Sequence, residues 1–239
     1  MSEKQRLTGQ RVLVIGGARD LGLAVATAVA EAGATVIVAA RDPERARSAA
    51  AGIPGASAVG LDITDEASTT RALDAVGHVD HIVATASAHH NVPVTEYTRD
   101  GVEAAFDAKV IGPLLLAKHA ARVLPPTGSL LLFSGVAAWT PSPDYTIMGI
   151  TNGAVAFTAL HLARELAPIR VNALSPGVID SGSWDGLDDK QAFLDGAAAS
   201  TLVGRYGQSQ DITDAVIWLL GAGFVTGETL HGEGGARFA

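Results

Sequence analysis

The chain has 239 residues, a net charge of -8 and no cysteine, which excludes disulfides, thiolate catalysis and cysteine-ligated metals. Its length suits one sizeable α/β domain spanning 1–239, and no repeat or linker divides it. The 17 basic residues are scattered, so there is no electrostatic footprint for nucleic acid or an anionic membrane, and we expect a small-molecule partner.

Apolar runs alternate with helical patterns along the whole chain. The apolar runs predict strands at 11–17, 34–42, 56–62, 81–87, 128–135, 169–177 and 228–235. The helical patterns predict helices at 21–33, 43–52, 64–76, 101–124 and 147–167. Gly33 is expected to end the first helix, Pro43 to open the second and Thr64 to cap the third. This alternation predicts a single doubly wound Rossmann-type domain with a parallel sheet of about seven strands.

Gly, Ser and Asp are concentrated in the segment 177–207, which follows the sixth predicted strand. Ligands of such sheets bind outside the carboxyl ends of the strands, so this insert is a candidate substrate lid. A plain surface loop is the alternative.

The polar N-terminus "MSEKQRLTGQ" lacks the apolar run of a signal peptide. No stretch reaches the roughly 18 consecutive apolar residues that a membrane span needs. We therefore expect a cytoplasmic protein.

"GGARDLG" (16–22) follows the first strand and opens a helix, where backbone N–H groups and the helix dipole can meet a pyrophosphate. It resembles the TGxxxGxG motif of the classical short-chain dehydrogenase/reductase family, with Gly16 and Gly22 at the first and third glycines. Asp20 replaces the middle glycine and is expected to cap the helix. Its carboxylate would repel a pyrophosphate, and Arg19 next to it offsets that charge.

The resemblance extends through almost the whole chain. "LDIT" (61–64) is similar to the adenine-contacting segment of that family, and "LAPIRVNALSPG" (166–177) is similar to its sixth-strand signature. The resemblance implies that the nicotinamide carboxamide is held by the turn at Pro176 and Gly177 and by the hydroxyl of Ser181. The complete set that it implies for the cofactor is Gly16, Arg19, Leu21, Gly22, Arg41, Asp62, Ile63, Ala86, Asn152, Pro176, Gly177, Ile179 and Ser181.

The end of the second strand decides between NAD and NADP, because an acidic residue there binds the ribose diol and a basic residue binds the 2′-phosphate. This chain has Ala40 followed by Arg41, and Arg19 stands where NADP-preferring members of the family place a second basic residue. Two guanidinium groups can hold one phosphate. We expect NADP(H) rather than NAD(H), although Arg41 facing solvent at a strand end is the simpler alternative.

In that family a tyrosine exchanges the substrate proton, a lysine four residues later lowers its pKa, a serine orients the carbonyl, and a helix asparagine completes the set. The flank "NGAVAFTALHLARELAPIRVNALSPG" fixes the register of this chain. Met148 then stands at the tyrosine and Asn152 at the lysine. The serine falls on Gly135, with Ser134 one residue short, and the asparagine falls on Lys109.

Three residues are candidates for catalytic roles. A partly buried Lys109 with a lowered pKa can donate a proton, although a helix lysine is more often solvated or salt-bridged. Asn152 can hydrogen-bond the nicotinamide ribose. Ser134 can orient a substrate oxygen if the strand end bulges.

Two further groups of side chains are expected near the same edge of the sheet. His89 and His90 follow the fourth strand and titrate near neutrality, although a polar loop pair is the simpler interpretation. They have no third ligand at a spacing typical of a metal site, so we expect no metal. The aromatic residues that either line the substrate pocket or pack are Trp139, Tyr145 and Trp184.

Three functions agree with these observations. The first is an atypical NADP(H)-dependent oxidoreductase that takes its proton from a nonstandard group, from water or from the substrate. The second is a catalytically silent nucleotide-binding protein, a sensor or an oligomer partner. The third is a fold reused without a cofactor. The resemblance also implies a homodimer or homotetramer formed through the helices at 101–124 and 147–167.

Overall fold

The structure is a computed structural model that describes residues 6–239, and it has nine strands and eight α-helices within that range. The strands are β1 (Arg11–Ile15), β2 (Thr35–Ala40), β3 (Ser57–Gly60), β4 (His81–Ala84), β5 (Ser129–Phe133), β6 (Arg170–Pro176), β7 (Ile179–Asp180), β8 (Gly207–Gln208) and β9 (Thr229–Gly232). The helices are α1 (Asp20–Glu31), α2 (Pro43–Ala51), α3 (Glu66–Val76), α4 (Arg99–Phe106), α5 (Gly112–Ala120), α6 (Thr146–Glu165), α7 (Lys190–Ala199) and α8 (Ser209–Gly221).

Seven strands form one parallel sheet in the order β3-β2-β1-β4-β5-β6-β9, which confirms the predicted fold class. The direction of winding reverses between β1 and β4. In sheets of this kind, ligands bind in the crevice at the carboxyl ends of the strands where this reversal occurs. The topology therefore directs attention to the segments that follow β1 and β4.

Both faces of the sheet are covered by apolar helices. Side chains of β1 alternate between the two cores, with Val12 and Val14 on the face of α1 and α8 and Leu13 and Ile15 on the face of α3, α5 and α6. Each fully buried Leu or Ile contributes on the order of 1.5–3 kcal/mol relative to an exposed side chain. With both faces closed, the strand ends are where polar side chains can gather.

α6 is long and apolar. An 18-residue window of this helix has a mean hydropathy of 1.3, which by length and composition is enough to cross a membrane. The helix also contains polar residues such as Thr151 and Asn152, so it is not the unbroken run of about 18 apolar residues that the sequence was expected to lack. Seven of its 20 residues are buried, among them Val155 and Ala159 in the core against the sheet, and a core helix of this kind has the same composition.

The expected cap of α3 is also wrong. The helix is capped by Asp65, whose side chain accepts a hydrogen bond from the Ala67 N–H at 2.9 Å. Thr64 has a different role, because its Oγ1 donates to Asp62 Oδ1 at 2.7 Å in the turn before the helix. The short side chains of Asp and Thr compete for such positions, so the cap shifts by one residue.

The predicted long helix at 101–124 is interrupted. α4 begins at Arg99, a π-helical segment covers Asp107–Ile111, and α5 ends at Ala120. Pro113 explains the interruption, since proline has no N–H to bond the carbonyl four residues earlier and its ring clashes with that carbonyl. The carbonyl concerned belongs to Lys109, at the centre of the π segment.

The insert at 177–207 is more regular than its composition indicated. It contains α7, which is capped by Asp189, and β7, which pairs in parallel with β8. α8, which follows it, was missed although Ile212, Val216 and Leu219 recur at helical spacing and are buried.

A buried histidine at the amino end of β4 gives a prediction about stability. The Nδ1 of His81 lies 2.7 Å from Ser129 Oγ and its Nε2 lies 2.9 Å from Gln10 Oε1. Burial, with a smaller contribution from Arg170, lowers the pKa of His81 from 6.5 to about 4. The fold therefore favours the neutral ring, and this stabilisation is complete above pH 6.5 and is lost as the pH falls from 6.5 towards 4.

At 1.36 kcal/mol per pKa unit, we expect a loss of about 3 kcal/mol by pH 4 from this residue. Urea unfolding between pH 7.5 and pH 4 measures it for the wild type and for His81→Gln, which has no titrating group. The variant should show a shallower fall of the free energy of unfolding with pH. Parallel curves for the two proteins would exclude His81 as the source.

Candidate active site

The region where β1 leads into α1 is packed too closely for a side chain at Gly16 or at Gly22. Gly16 has φ of +83°, and a Cβ added to it would lie 2.6 Å from Thr85 Oγ1. A Cβ at Gly22 would lie 2.1 Å from the carbonyl oxygen of Gly16. Because of this close packing, α1 begins immediately after the turn. The first N–H groups of a helix lack partners within the helix, so this end of α1 is suited to an anionic group.

Asp20 lies at the mouth of this turn. It is not the helix cap, because the cap residue is Arg19 and makes no side-chain capping bond. Asp20 adopts φ of +49°, in the left-handed region, where the family motif has glycine. Its Oδ2 lies 3.6 Å from Arg19 Nε, so the expected charge offset is present in the geometry. A Cβ at Gly182 of the lid would lie 3.2 Å from Asp20 Oδ1, which puts this carboxylate between the turn and the lid.

The remaining residues expected to hold a cofactor lie along the same edge. Asp62 accepts two hydrogen bonds from Thr64 through Oδ1, so one carboxylate oxygen is already engaged. Arg41 is exposed at the end of β2. Gly177 packs against Glu233, since a Cβ there would lie 2.9 Å from the Cα of that residue. Among the other expected cofactor residues, Ile63 and Ile179 are buried, and four are half-buried: Leu21, Ala86, Pro176 and Ser181. The cofactor roles of these residues stay predictions.

Lys109 projects from the π-helical segment into the protein and reaches the end of β5. Its Nζ donates hydrogen bonds to the carbonyl oxygens of Phe133 at 2.7 Å and Ser134 at 3.2 Å. Only 7% of the residue is exposed, and burial lowers the pKa of the ammonium to about 8. Lys109 is therefore neither solvated nor salt-bridged, and it titrates close to physiological pH.

Ser134 and Asn152 meet on the other side of the same segment. Ser134 Oγ donates to the carbonyl oxygen of Asn152 at 2.8 Å, so its hydrogen is engaged. A Cβ at Gly135 would lie 2.7 Å from Asn152 Nδ2. Asn152 is 3% exposed, and its Oδ1 has no hydrogen-bond partner among residues 6–239. The segment Ser134–Gly135 thus contacts both the Lys109 ammonium and the Asn152 side chain.

Buried polar atoms without partners collect at this edge of the sheet. Besides Asn152 Oδ1, they include Ser87 Oγ after β4 and Ser175 Oγ in β6, counted within the described chain. Buried polar groups are normally hydrogen-bonded, so such atoms point to a missing partner. A dinucleotide, with its many hydroxyl, amide and phosphate groups, fits this set.

The two histidines after β4 have different surroundings. His90 Nε2 accepts a hydrogen bond from the Thr98 N–H at 3.2 Å, and the ring stacks at a tilt on Tyr97 at 6.0 Å between centroids. Its role is to hold the loop. The pKa of His89 is lowered by burial and then by the positive charges of Lys109 and Arg19, so His89 lies within electrostatic reach of both.

A cavity of about 630 Å³ opens between the loop after β5, the turn after β6, the end of the lid and the segment after β9. Trp139 lines this cavity, and its expected place in a substrate pocket stays a prediction. Trp184 packs elsewhere, since its Nε1 donates to the Ile179 carbonyl at 2.9 Å, and Tyr145 caps α6. Sequence reasoning missed the wall formed by His231, Glu233 and Arg237. The signal was present as three polar residues in "HGEGGARFA" (231–239), which begins within the last strand.

The seven-stranded parallel sheet defines a doubly wound Rossmann-type fold, and comparison with known proteins gives the family. Residues 16–237 match the family model described as enoyl-(acyl carrier protein) reductase. Sorbitol dehydrogenase of Cereibacter sphaeroides is 32% identical over 96% of this chain and 98% of its own. The chain belongs to the short-chain dehydrogenase/reductase family.

Two solved structures agree with this assignment. A small-chain dehydrogenase in complex with NADPH has a TM-score of 0.85 and 30% identity, over 96% of this chain and 99% of its own. A gluconate 5-dehydrogenase from Burkholderia cenocepacia in complex with NADP and tartrate has a TM-score of 0.90 and 28% identity, over 99% of this chain and 98% of its own. Members of this fold therefore bind nicotinamide dinucleotides.

Two glycines give a matched test of the packing around Asn152. In Gly135→Ala the new Cβ would meet Asn152 Nδ2, and we expect a loss of about 1 to 3 kcal/mol in the free energy of unfolding, as for other overpacked sites. The control is Gly153→Ala, one residue from Asn152 in α6, where a Cβ meets nothing within 4 Å. That substitution should stabilise by about 0.5–1 kcal/mol, since alanine favours helices. Urea unfolding measures both, and equal effects of the two variants would contradict the packing.

Proposed function

We propose that the protein is an NADP(H)-dependent oxidoreductase of the short-chain dehydrogenase/reductase family in which Lys109 supplies the proton. The observation that carries the proposal is the buried Lys109 ammonium, whose hydrogen-bond partners among residues 6–239 are two main-chain carbonyls and whose pKa is lowered to about 8. In this proposal NADP(H) supplies or accepts the hydride. The remaining steps belong to the residues of the chain.

The usual acid of the family has no counterpart in this sequence. None of the three tyrosines has a lysine four positions later; the residues found there are Gly101, Gly149 and Gln210. By the register of the flanking helix and strand, Met148 and Asn152 occupy the positions of the tyrosine and the lysine, and Lys109 occupies that of the helix asparagine. In the family pattern the earlier helix carries the asparagine and the later helix carries the lysine. In this chain the lysine is on the earlier helix and the asparagine is on the later one.

Lys109 can act as an acid because it is held in place and desolvated. Two of its three hydrogens are used by the carbonyls of Phe133 and Ser134, which leaves one for a substrate oxygen or a bridging water. In the reducing direction, the acceptor carbon gains a hydride and its oxygen gains the Lys109 proton. The neutral amine then recovers a proton from solvent. Carbonyls, activated double bonds and imines are acceptors of the right kind.

Asn152 and Ser134 have supporting roles in this proposal. The unpartnered Oδ1 of Asn152 accepts a hydrogen bond from a ribose hydroxyl of the cofactor. Ser134 donates to the main chain of α6, and its remaining lone pairs are available to a substrate hydroxyl. Arg19 and Arg41 favour the 2′-phosphate of NADP(H) over the free diol of NAD(H), and the NADPH and NADP complexes of similar proteins support this choice.

A second candidate is a catalytically silent nucleotide-binding protein, favoured by the absence of a Tyr-x-x-x-Lys pair. Both candidates keep the cofactor site, so binding alone does not separate them. Turnover does: saturable NADPH oxidation with any member of a panel of carbonyls, enones and imines excludes the silent protein.

The test of the catalytic proposal is Lys109→Met, which keeps the length of the side chain and removes its proton. We expect loss of NADPH oxidation with retained NADPH binding, read as thermal stabilisation. A ligand at a hundred times its dissociation constant stabilises by about 2.7 kcal/mol. The wild-type rate of reduction should fall as the pH rises through 8, because the acid must be protonated.

Lys118→Met is the matched control, since Lys118 is exposed on α5 and pairs with Glu66. Lys118→Met should leave both NADPH oxidation and NADPH binding unchanged. Unchanged turnover in Lys109→Met would remove Lys109 from the mechanism while leaving the cofactor assignment intact.

We also propose a homodimer or homotetramer built on α5 and α6. Ile150, Phe157 and Leu160 expose 51%, 64% and 51% of their surface along one face of α6, and Ile111 and Leu114, at the end of the π segment and the start of α5, are also exposed. Light scattering should give a multimeric mass that falls for Phe157→Glu. Val94→Glu, a change at an exposed residue that belongs to neither α5 nor α6, should leave the mass unchanged. A monomeric wild type at micromolar concentration would contradict the proposal.

A further inference from the structure

The cavity beside the turn after β6 is closed by three separate parts of the chain. Its walls are the loop 136–141, the end of the lid at 197–207 and the segment 231–239. The lid is tied to the last segment by a hydrogen bond from the Val203 N–H to the Gly234 carbonyl at 3.2 Å. Its volume of about 630 Å³ lies within the range of small-molecule pockets, roughly 300–1,000 Å³.

The charged side chains of the cavity cancel in pairs. Arg205 forms two hydrogen bonds of 2.7 Å with the carboxylate of Asp211. Arg237 Nε lies 3.6 Å from Glu233 Oε1. Burial, and then Arg237, lower the pKa of His231, so its ring is neutral at physiological pH. A cavity with balanced charge gives no net attraction to an anion and favours an uncharged ligand.

Three polar atoms on residues of the cavity wall lack hydrogen bonds within residues 6–239. They are Glu233 Oε1, Arg237 Nη1 and His231 Nδ1. Glu233 is 95% buried, at a relative exposure of 5%, and its 3.6 Å approach to Arg237 is too long for a hydrogen bond. A buried carboxylate oxygen without a donor is costly, so the site is incomplete without another polar group.

The missing groups are both donors and acceptors. Glu233 needs a donor, Arg237 needs an acceptor, and His231 takes either according to its tautomer. A hydroxyl group donates and accepts at once, so neighbouring hydroxyls on one molecule satisfy all three. Trp139, whose ring meets that of His231 edge to face at 5.0 Å between centroids, adds an apolar surface to the same cavity.

We propose that this cavity binds the polyhydroxylated part of an uncharged substrate, such as an open-chain polyol or the corresponding ketose. The substrate assignment rests on the proposed function, because it places the reacting carbon of this molecule near Lys109. The two sites are adjacent along the chain: Val136 lines the cavity and directly follows the Ser134–Gly135 segment that contacts Lys109 and Asn152.

Ligand binding in the cavity can be measured by NMR through a residue of its wall. The indole N–H signal of Trp139 is identified by its loss in Trp139→Phe. We expect at least one of sorbitol, mannitol, galactitol and xylitol, at millimolar concentration, to shift this signal saturably. We expect 1,6-hexanediol to leave it unmoved and gluconate to bind more weakly than the best polyol. An unmoved signal with all four polyols, or tighter binding of gluconate, would overturn the proposal.

Two variants test the residues that recognise the hydroxyls. Glu233→Gln and Arg237→Gln should each weaken binding of the best polyol at least tenfold, about 1.4 kcal/mol. The control is Arg122→Gln, an exposed residue paired with Asp74 away from the cavity, which should bind as the wild type does. Unfolding curves check that each variant is folded, and wild-type affinity in both folded cavity variants would overturn the assignment.

The same samples separate failure of this inference from failure of the proposed function. Binding of polyols is measured without cofactor and again with saturating NADPH. NADPH binding and turnover without any Trp139 response would overturn the cavity assignment and leave the oxidoreductase intact. A saturable Trp139 response in a protein that binds no NADPH would support the cavity as a polyol site and contradict the redox role.

Discussion

A parallel sheet covered on both faces is the constraint on which the rest of this structure depends. α1, α2 and α8 close one face and α3, α5 and α6 close the other, so the interior between sheet and helices is mainly apolar. Polar side chains gather at the carboxyl ends of the strands, where main-chain carbonyls and helix starts can meet them. The glycine turn, the end of β5 and the turn after β6 all lie at this edge.

Lys109 shows how strongly this edge shapes the chemistry of a side chain. An ammonium in the core would normally need a carboxylate, and Lys109 instead receives two carbonyl oxygens at the end of β5. Burial lowers the pKa of the ammonium to about 8, because taking a charged group out of water disfavours its charged form. The π-helical segment, with Pro113 four residues on, sets the backbone of Lys109 apart from a regular helix. Local backbone irregularity and altered acidity thus occur at one residue.

The order of strands and helices could be predicted from the sequence because apolar runs and helical spacing repeat without interruption from Arg11 to Pro176. Single-residue details could not. Thr64 and Asp65 are both good caps, and only the turn made by Asp62 decides between them. The surroundings of Lys109 depend on the carbonyls of β5, more than twenty residues away, and no local pattern encodes them. Glu233 and Arg237 share a cavity with the segment 197–207 and the loop after β5, which are distant in sequence, so no local pattern indicated their role.

We propose that this chain keeps an NADP(H) site while using a different acid, and both the hydride and the proton step need the bound cofactor. Isothermal titration calorimetry of the wild type with NADPH and with NADH tests it most directly. The account predicts saturable binding of NADPH, at least tenfold tighter than NADH, a difference of about 1.4 kcal/mol. Equal or tighter binding of NADH would contradict the roles given to Arg19 and Arg41, and no binding of either would contradict the oxidoreductase itself.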